Sequence, residues 1–109
     1  MGCPMPIPPE SVARVAADAL NRRRYRAKTT LTPGGTATGV ARARDLKNRR
    51  NFSEQTLVRM RAWFARHDTP AERRNRQKSP FTRASIAWDL WGGDAGRAWV
   101  DHELEKLGR

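Results

Sequence analysis

The sequence has almost no cysteine, little lysine, few carboxylates and no long hydrophobic run, and each shortage removes a class of protein. Its single cysteine, Cys3, excludes an intramolecular disulfide and a cysteine-based zinc site. No apolar stretch approaches the roughly 20 residues needed to span a bilayer. Met1-Gly2-Cys3-Pro4 is followed by no apolar h-region, so no secretory signal is expected. Pro6 stands where a myristoylation motif wants Ser or Thr. The two histidines, His67 and His102, lie 35 positions apart without further ligand spacing and match no metal pattern. Gly34-Gly35 and Gly92-Gly93 lack the spacing of a nucleotide cradle and follow no predicted strand. These absences predict a protein that works by binding, with no catalytic residue, metal, cofactor, membrane or small-molecule substrate.

What is present is arginine. Lys plus Arg number 22 against 11 Asp plus Glu, a formal net charge of +11, and only Lys28, Lys47, Lys78 and Lys106 are lysines. A chain so charged repels itself unless polyanions are near. Arginine also binds phosphate in bidentate fashion, which the point charge of lysine does not match. The charge is uneven. Residues 86–109 hold three cations and five carboxylates, while residues 1–85 hold nineteen and six. A basic body is therefore joined to a mildly acidic C-terminal helix.

Residues 1–9 contain four prolines and read as an extended arm. The rest reads as one all-α domain, 10–109, a small bundle of about five short helices. Val12, Val15, Ala16, Ala19 and Leu20 give the first helix, 10–27. Residues 28–35 form a loop. Val40, Ala43 and Leu46 mark a second helix, 36–48. Ser53 caps a third, 54–66, with Leu57, Met60 and Phe64 as its core stripe. Residues 68–80 read as an Arg-rich loop. Thr82 caps a fourth helix, 83–91, and Asp94 a fifth, 95–107. No stretch alternates with period two, so no sheet is expected. The hydrophobic share is 38%, and four tryptophans add to it, each able to bury about 150–250 Å². Trp88, Trp91 and Trp99, at helical spacing, read as core before they read as base-stacking platforms.

The candidate nucleic-acid contacts are the basic clusters. Arg22, Arg23, Arg24, Arg26 and Lys28 crowd the end of the first helix, with Tyr25 among them to stack. Arg49 and Arg50 follow the second helix, and Arg73, Arg74, Arg76 and Lys78 fill the 68–80 loop. A second possibility is a helix-turn-helix reader formed by helices two and three, with Gln55, Thr56 and Arg59 facing the groove. About six residues separate Leu46 from Ser53, more than the usual turn of such a motif. An ordinary αα-hairpin with basic flanks fits the same residues.

Three segments carry a resemblance. They are Gly34-Gly35-Thr36 with Gly39-Val40-Ala41-Arg42-Ala43-Arg44-Asp45-Leu46; Ser53 through Phe64-Ala65-Arg66-His67; and Ser85-Ile86-Ala87-Trp88-Asp89-Leu90-Trp91-Gly92-Gly93-Asp94-Ala95-Gly96 with Trp99. Together they resemble a small helical module of tailed-bacteriophage proteins, which occurs alone or within virion-structural and prohead-protease-associated polypeptides. The resemblance covers roughly 34–99 and omits the first helix. Its Trp-Gly-Gly-Asp string is the most specific part. The module usually carries a longer, Gly-rich, lysine-bearing loop after the histidine, replaced here by the short, Arg-rich stretch from Thr69 to Pro80. The resemblance implies a phage setting, in the virion or the host cytoplasm, and transfers no catalytic residue.

Three functions follow as expectations. The first is a basic virion-associated protein gripping nucleic acid, DNA before RNA, through arginine–phosphate contacts. The second is a minor capsid or connector protein whose basic surface and arm bind acidic coat subunits. The third is a small regulator that binds a host protein.

Overall fold

Hydroxyl side chains set most of the helix starts. Thr36 Oγ1 accepts from Gly39 N at 3.1 Å, Ser53 Oγ from Thr56 N at 3.1 Å, Thr69 Oγ1 from Glu72 N at 3.2 Å and Thr82 Oγ1 from Ser85 N at 3.1 Å. Each satisfies one orphan donor of a first turn, an effect of about 1 kcal/mol. The computed structural model describes residues 5–29 and 32–109, and among these there is no strand. Six helices follow in order: α1 (Glu10–Thr29), α2 (Ala37–Lys47), α3 (Glu54–Arg66), α4 (Pro70–Lys78), α5 (Arg83–Leu90) and α6 (Gly93–Lys106).

The all-α expectation holds, and five of the helices are those expected. The sixth, α4, is a correction, because it occupies the stretch read as a loop. It has no apolar stripe and buries none of its residues, so hydrophobic periodicity does not reveal it. Its start is nonetheless written in the sequence. Thr69 is the N-cap, Pro70 follows it directly and Glu72 stands three residues after the cap, the sequence signature of a helix start, although the Glu72 carboxylate turns to His67 and not back to the cap. Ser79, extended at φ −171° and ψ 147°, ends the helix ahead of Pro80.

The longest helix, α1, packs against α2, α5 and α6, while α3 lies on α6 and α4 on α5. The core draws Val12, Ala16 and Ala19 from α1, Ala43 and Leu46 from α2, and Leu57, Met60 and Phe64 from α3. Ile86 and Leu90 of α5 and Val100 and Leu104 of α6 complete it. Trp88, Trp91 and Trp99 are buried in this core. Trp63 stacks on Trp91 with ring centroids 4.7 Å apart and planes 14° from parallel.

The turn between α5 and α6 explains the Trp-Gly-Gly-Asp-Ala-Gly string by sterics. Gly92 and Gly93 have φ of 104° and 65°, a region that favours glycine. A Cβ on Gly96 would lie 2.7 Å from the Trp91 carbonyl oxygen, and one on Gly92 2.8 Å from Gly96 Cα. The chain thus folds back on itself at backbone contact, beneath Val12 of α1. Asp94 does not cap α6 as expected, because Gly92 occupies that position. Asp94 Oδ1 instead accepts the Trp88 indole N–H at 2.9 Å.

Residues 5–9 run extended and are tied down; residues 1–4 of the expected arm lie outside the described residues. Phe52 N donates to Pro6 O at 2.8 Å and Arg49 Nε to Pro8 O at 2.8 Å. Arg49 itself is left-handed, with φ 49°. The bonds from Arg49 N to Leu46 O and from Arg50 N to Asp45 O then close α2 with a Schellman motif.

Gly96→Ala is expected to cost about 2 kcal/mol by overpacking the turn. The check is a lower urea midpoint at unchanged m-value; an unchanged midpoint would mean that the turn can move aside.

Candidate nucleic-acid interface

The arginines of α1 divide by where the helix aims them. Its apolar stripe of Val12, Ala16 and Ala19, continued by one turn, reaches Arg22 and Arg23, and by a second turn Arg26. Arg22 is buried, with its side chain 9% exposed. Its guanidinium donates to Asp18, at 2.8 Å, to the Asp89 carboxylate of α5 and to Pro80 O. Arg22 is therefore a structural staple and is withdrawn from the expected phosphate contacts. Burial pushes the Asp89 carboxyl above its ordinary pKa, against the hydrogen bond and charge of Arg22.

Arg23 Nε donates to Gly34 O at 3.0 Å. Arg26 donates to Thr32 O at 2.7 Å and to Phe81 O at 2.9 Å. Both pin neighbouring loops to α1 and keep their side chains on the wall of the same cleft. Arg24 and Lys28 are exposed.

Across that cleft stands α4. With no buried side chain, it is held by polar contacts and one cation–π contact. Asp68 receives Arg97 at 2.9 Å, Arg73 at 3.1 Å and Arg76 at 3.6 Å. The hydrogen bond from Arg97 and the charges of Arg73, Arg97 and Arg76 outweigh partial desolvation and hold Asp68 below the usual carboxylate range. Arg76 lies over the Trp88 ring, 3.9 Å from its centroid, and donates to His67 O at 3.3 Å. Glu72 pairs with His67 Nδ1 at 3.2 Å. Ser85 Oγ contacts Arg76 O at 3.0 Å and Ser79 O at 2.7 Å, closing the C-terminal end of α4 onto α5.

Between α1 and α4 lies an open groove of about 880 Å³. Arg23, Arg26, Arg76, Lys78 and Arg83 line it, with Gly34 and Gly35 also in its wall and Trp63 and His67 at one side. Among the described residues Glu72 is its sole carboxylate, with Oε1 against His67 Nδ1 and Oε2 without a hydrogen-bond partner. The hollow that shares Arg76 and Trp88 with the groove, about 580 Å³, is different in kind. There Asp68, Asp89 and Asp94 face Arg73, Arg76 and Arg97, and the charges balance. The groove thus has more cations than carboxylates along its lining, whereas the hollow has equal numbers.

Of the residues expected from sequence, the groove brings together Arg23, Arg26, Arg76 and Lys78, and Arg73 and Arg74 ride on the same helix α4. Arg49 and Arg50 are elsewhere, on the α2–α3 connection, bonded to Pro8 O and paired with Asp45 at 3.7 Å. Gln55, Thr56 and Arg59 do not line the groove. Gln55 lies eight residues before Trp63, about 12 Å away along the α3 axis, and the Thr56 hydroxyl is spent on Ser53 Oγ at 2.9 Å. The helix-turn-helix geometry is not formed, because α2 packs on α1 and α5 whereas α3 packs on α6. Arg83 and the Trp63–His67 pair were missed. Arg83 follows the Thr82 cap as an isolated cation, and nothing in the sequence aims it at residues 23–26.

Among the described residues no group of three His, Cys, Asp or Glu could hold a metal, and no helix is long and apolar enough to cross a membrane. No protein-family model matches the chain, and no curated protein or solved structure matches it.

Arg22→Met is expected to destabilise the fold by about 3 kcal/mol, because it leaves the Asp89 carboxylate half-buried without its partner. Arg24→Ala should stay within about 0.5 kcal/mol of the parent. Chemical denaturation of the two variants checks the division, and equal losses would contradict it.

Proposed function

We propose that the protein binds nucleic acid through arginine–phosphate contacts along the α1–α4 groove, without base-specific readout. The observation that carries this reading is the convergence of Arg23, Arg26, Arg76, Lys78 and Arg83 on one concave surface that, among the described residues, holds a single carboxylate, Glu72. Guanidinium groups held by backbone carbonyls are fixed in position, and arginine's planar fork matches phosphate oxygens. Sequence-neutral gripping is favoured over readout because α2 and α3 do not form a helix-turn-helix. The tailed-phage resemblance of residues 34–99 supports a virion-associated role and DNA as the partner.

One observation supports a second reading, in which the chain is a minor capsid or connector subunit. Met5 and Ile7 of the arm are 52% and 51% exposed although the arm's backbone is pinned. Two apolar side chains held outward on a pinned segment suit a protein neighbour. In that case association with the particle survives nuclease digestion.

The test is binding to a labelled DNA across a salt series. The reading predicts that log affinity falls linearly with log salt, by about 0.7–0.9 per phosphate neutralised. Replacing Lys78 and Arg83 together by alanine should flatten the slope by about one for each phosphate that is no longer neutralised. A slope near zero, or a slope untouched by the double variant, would overturn the reading.

A further inference from the structure

Tyr25 and Phe81 are large aromatic side chains left in the open. They are 60% and 41% exposed, and their rings lie 5.3 Å apart, tilted by 58°. Single exposed apolar residues are ordinary, but this is a pair from two distant segments, brought together beside the basic groove. Tyr25 sits on α1 between Arg24 and Arg26. Phe81 sits in the connection from α4 to α5, two residues before Arg83. The link to the groove is direct, since the Arg26 guanidinium that lines it also donates to Phe81 O at 2.9 Å. Arg22 fixes the preceding residue by donating to Pro80 O. The rings are therefore held on a rigid support at the groove's margin.

We propose that the groove takes a single strand, whose bases stack on the Tyr25–Phe81 pair while its phosphates follow Arg26, Arg83 and Lys78. The inference rests on the nucleic-acid reading above and adds the state of the strand. Every base has a π-face, so such stacking is tolerant of sequence, and a basic track beside exposed rings is how single strands are held without readout. In a duplex those faces are covered by neighbouring bases, leaving the rings nothing to stack on. A duplex reader would instead present a helix or ribbon to the major groove, and here the charged surface is concave.

The experiment compares three probes: an oligothymidylate of about 16 nucleotides, an abasic deoxyribose-phosphate strand of the same length, and a duplex of matching length. Each is titrated with the parent protein and with the Tyr25→Ala/Phe81→Ala double variant; Tyr25→Phe serves as a control that keeps a ring. The parent should bind oligothymidylate at least tenfold tighter than the abasic strand. The double variant should lose about tenfold or more on oligothymidylate and stay within about twofold on the abasic strand and the duplex, while Tyr25→Phe behaves as the parent. Because both rings are exposed, the helical circular dichroism of the double variant should match the parent's. Equal parent affinity for the thymidylate and abasic strands, or a double variant that keeps full oligothymidylate affinity, would overturn the stacking proposal and leave phosphate binding standing. Absence of salt-dependent binding to all three probes would overturn both.

Discussion

The Arg22 guanidinium is the interaction on which the arrangement of the site depends. It is a cation on the apolar side of α1, and it joins α1 to α5 through Asp89 and to the α4–α5 connection through Pro80 O. Without it, Asp89 would sit half-buried against Asp94 and Asp18, whose charges oppose its own. The connection that carries Phe81 would lose one of its two ties to α1, the one at Pro80 O, and keep the one from Arg26 to Phe81 O. Tyr25 and Arg26 follow on the same helix, little more than one turn ahead. A buried arginine thus fixes the segment beside the ring, and Arg26 completes the placement of the aromatic pair.

Arginine has a second use here that its phosphate chemistry does not suggest. Arg23, Arg26, Arg49, Arg61 and Arg76 all donate to backbone carbonyls, of Gly34, Thr32 and Phe81, Pro8, Arg109 and His67. A guanidinium has five donors and no acceptor, so it can hold a loop with some donors and present others. The lysine ammonium, compact and strongly hydrated, does this less well, which gives a physical reason for so few lysines in a chain this basic. Three of these side chains, Arg23, Arg26 and Arg76, also line the α1–α4 groove, so fold and proposed function share part of one set of residues.

The helices α1, α2, α3, α5 and α6 were legible because each has an apolar stripe or a hydroxyl cap, and most have both. Helix α4 has only the cap, Thr69 with Pro70 and Glu72, and a reading weighted toward hydrophobic periodicity passes over it. The division among Arg22, Arg23 and Arg24 was half legible. Extending the Val12–Ala16–Ala19 stripe by a turn points Arg22 inward, but its partners Asp89 and Pro80 lie more than fifty residues away. The same holds for Asp68, which gathers Arg73, Arg76 and Arg97 from two helices, and for Arg83, which meets the end of α1 only through the fold. Clusters of charge can be counted along a chain, whereas the carboxylates that cancel some of them and not others are brought in by tertiary packing.

The proposed nucleic-acid surface lies between α1 and α4. A titration of isotope-labelled protein with an oligonucleotide, followed by amide and arginine side-chain NMR shifts, locates the bound strand. The largest changes should fall on residues 23–26, on α4 and at 81–83, with Arg22 and the Gln55–Arg59 face little affected. Changes centred on Arg49, Arg50 and Gln55, or none at low salt, would contradict it.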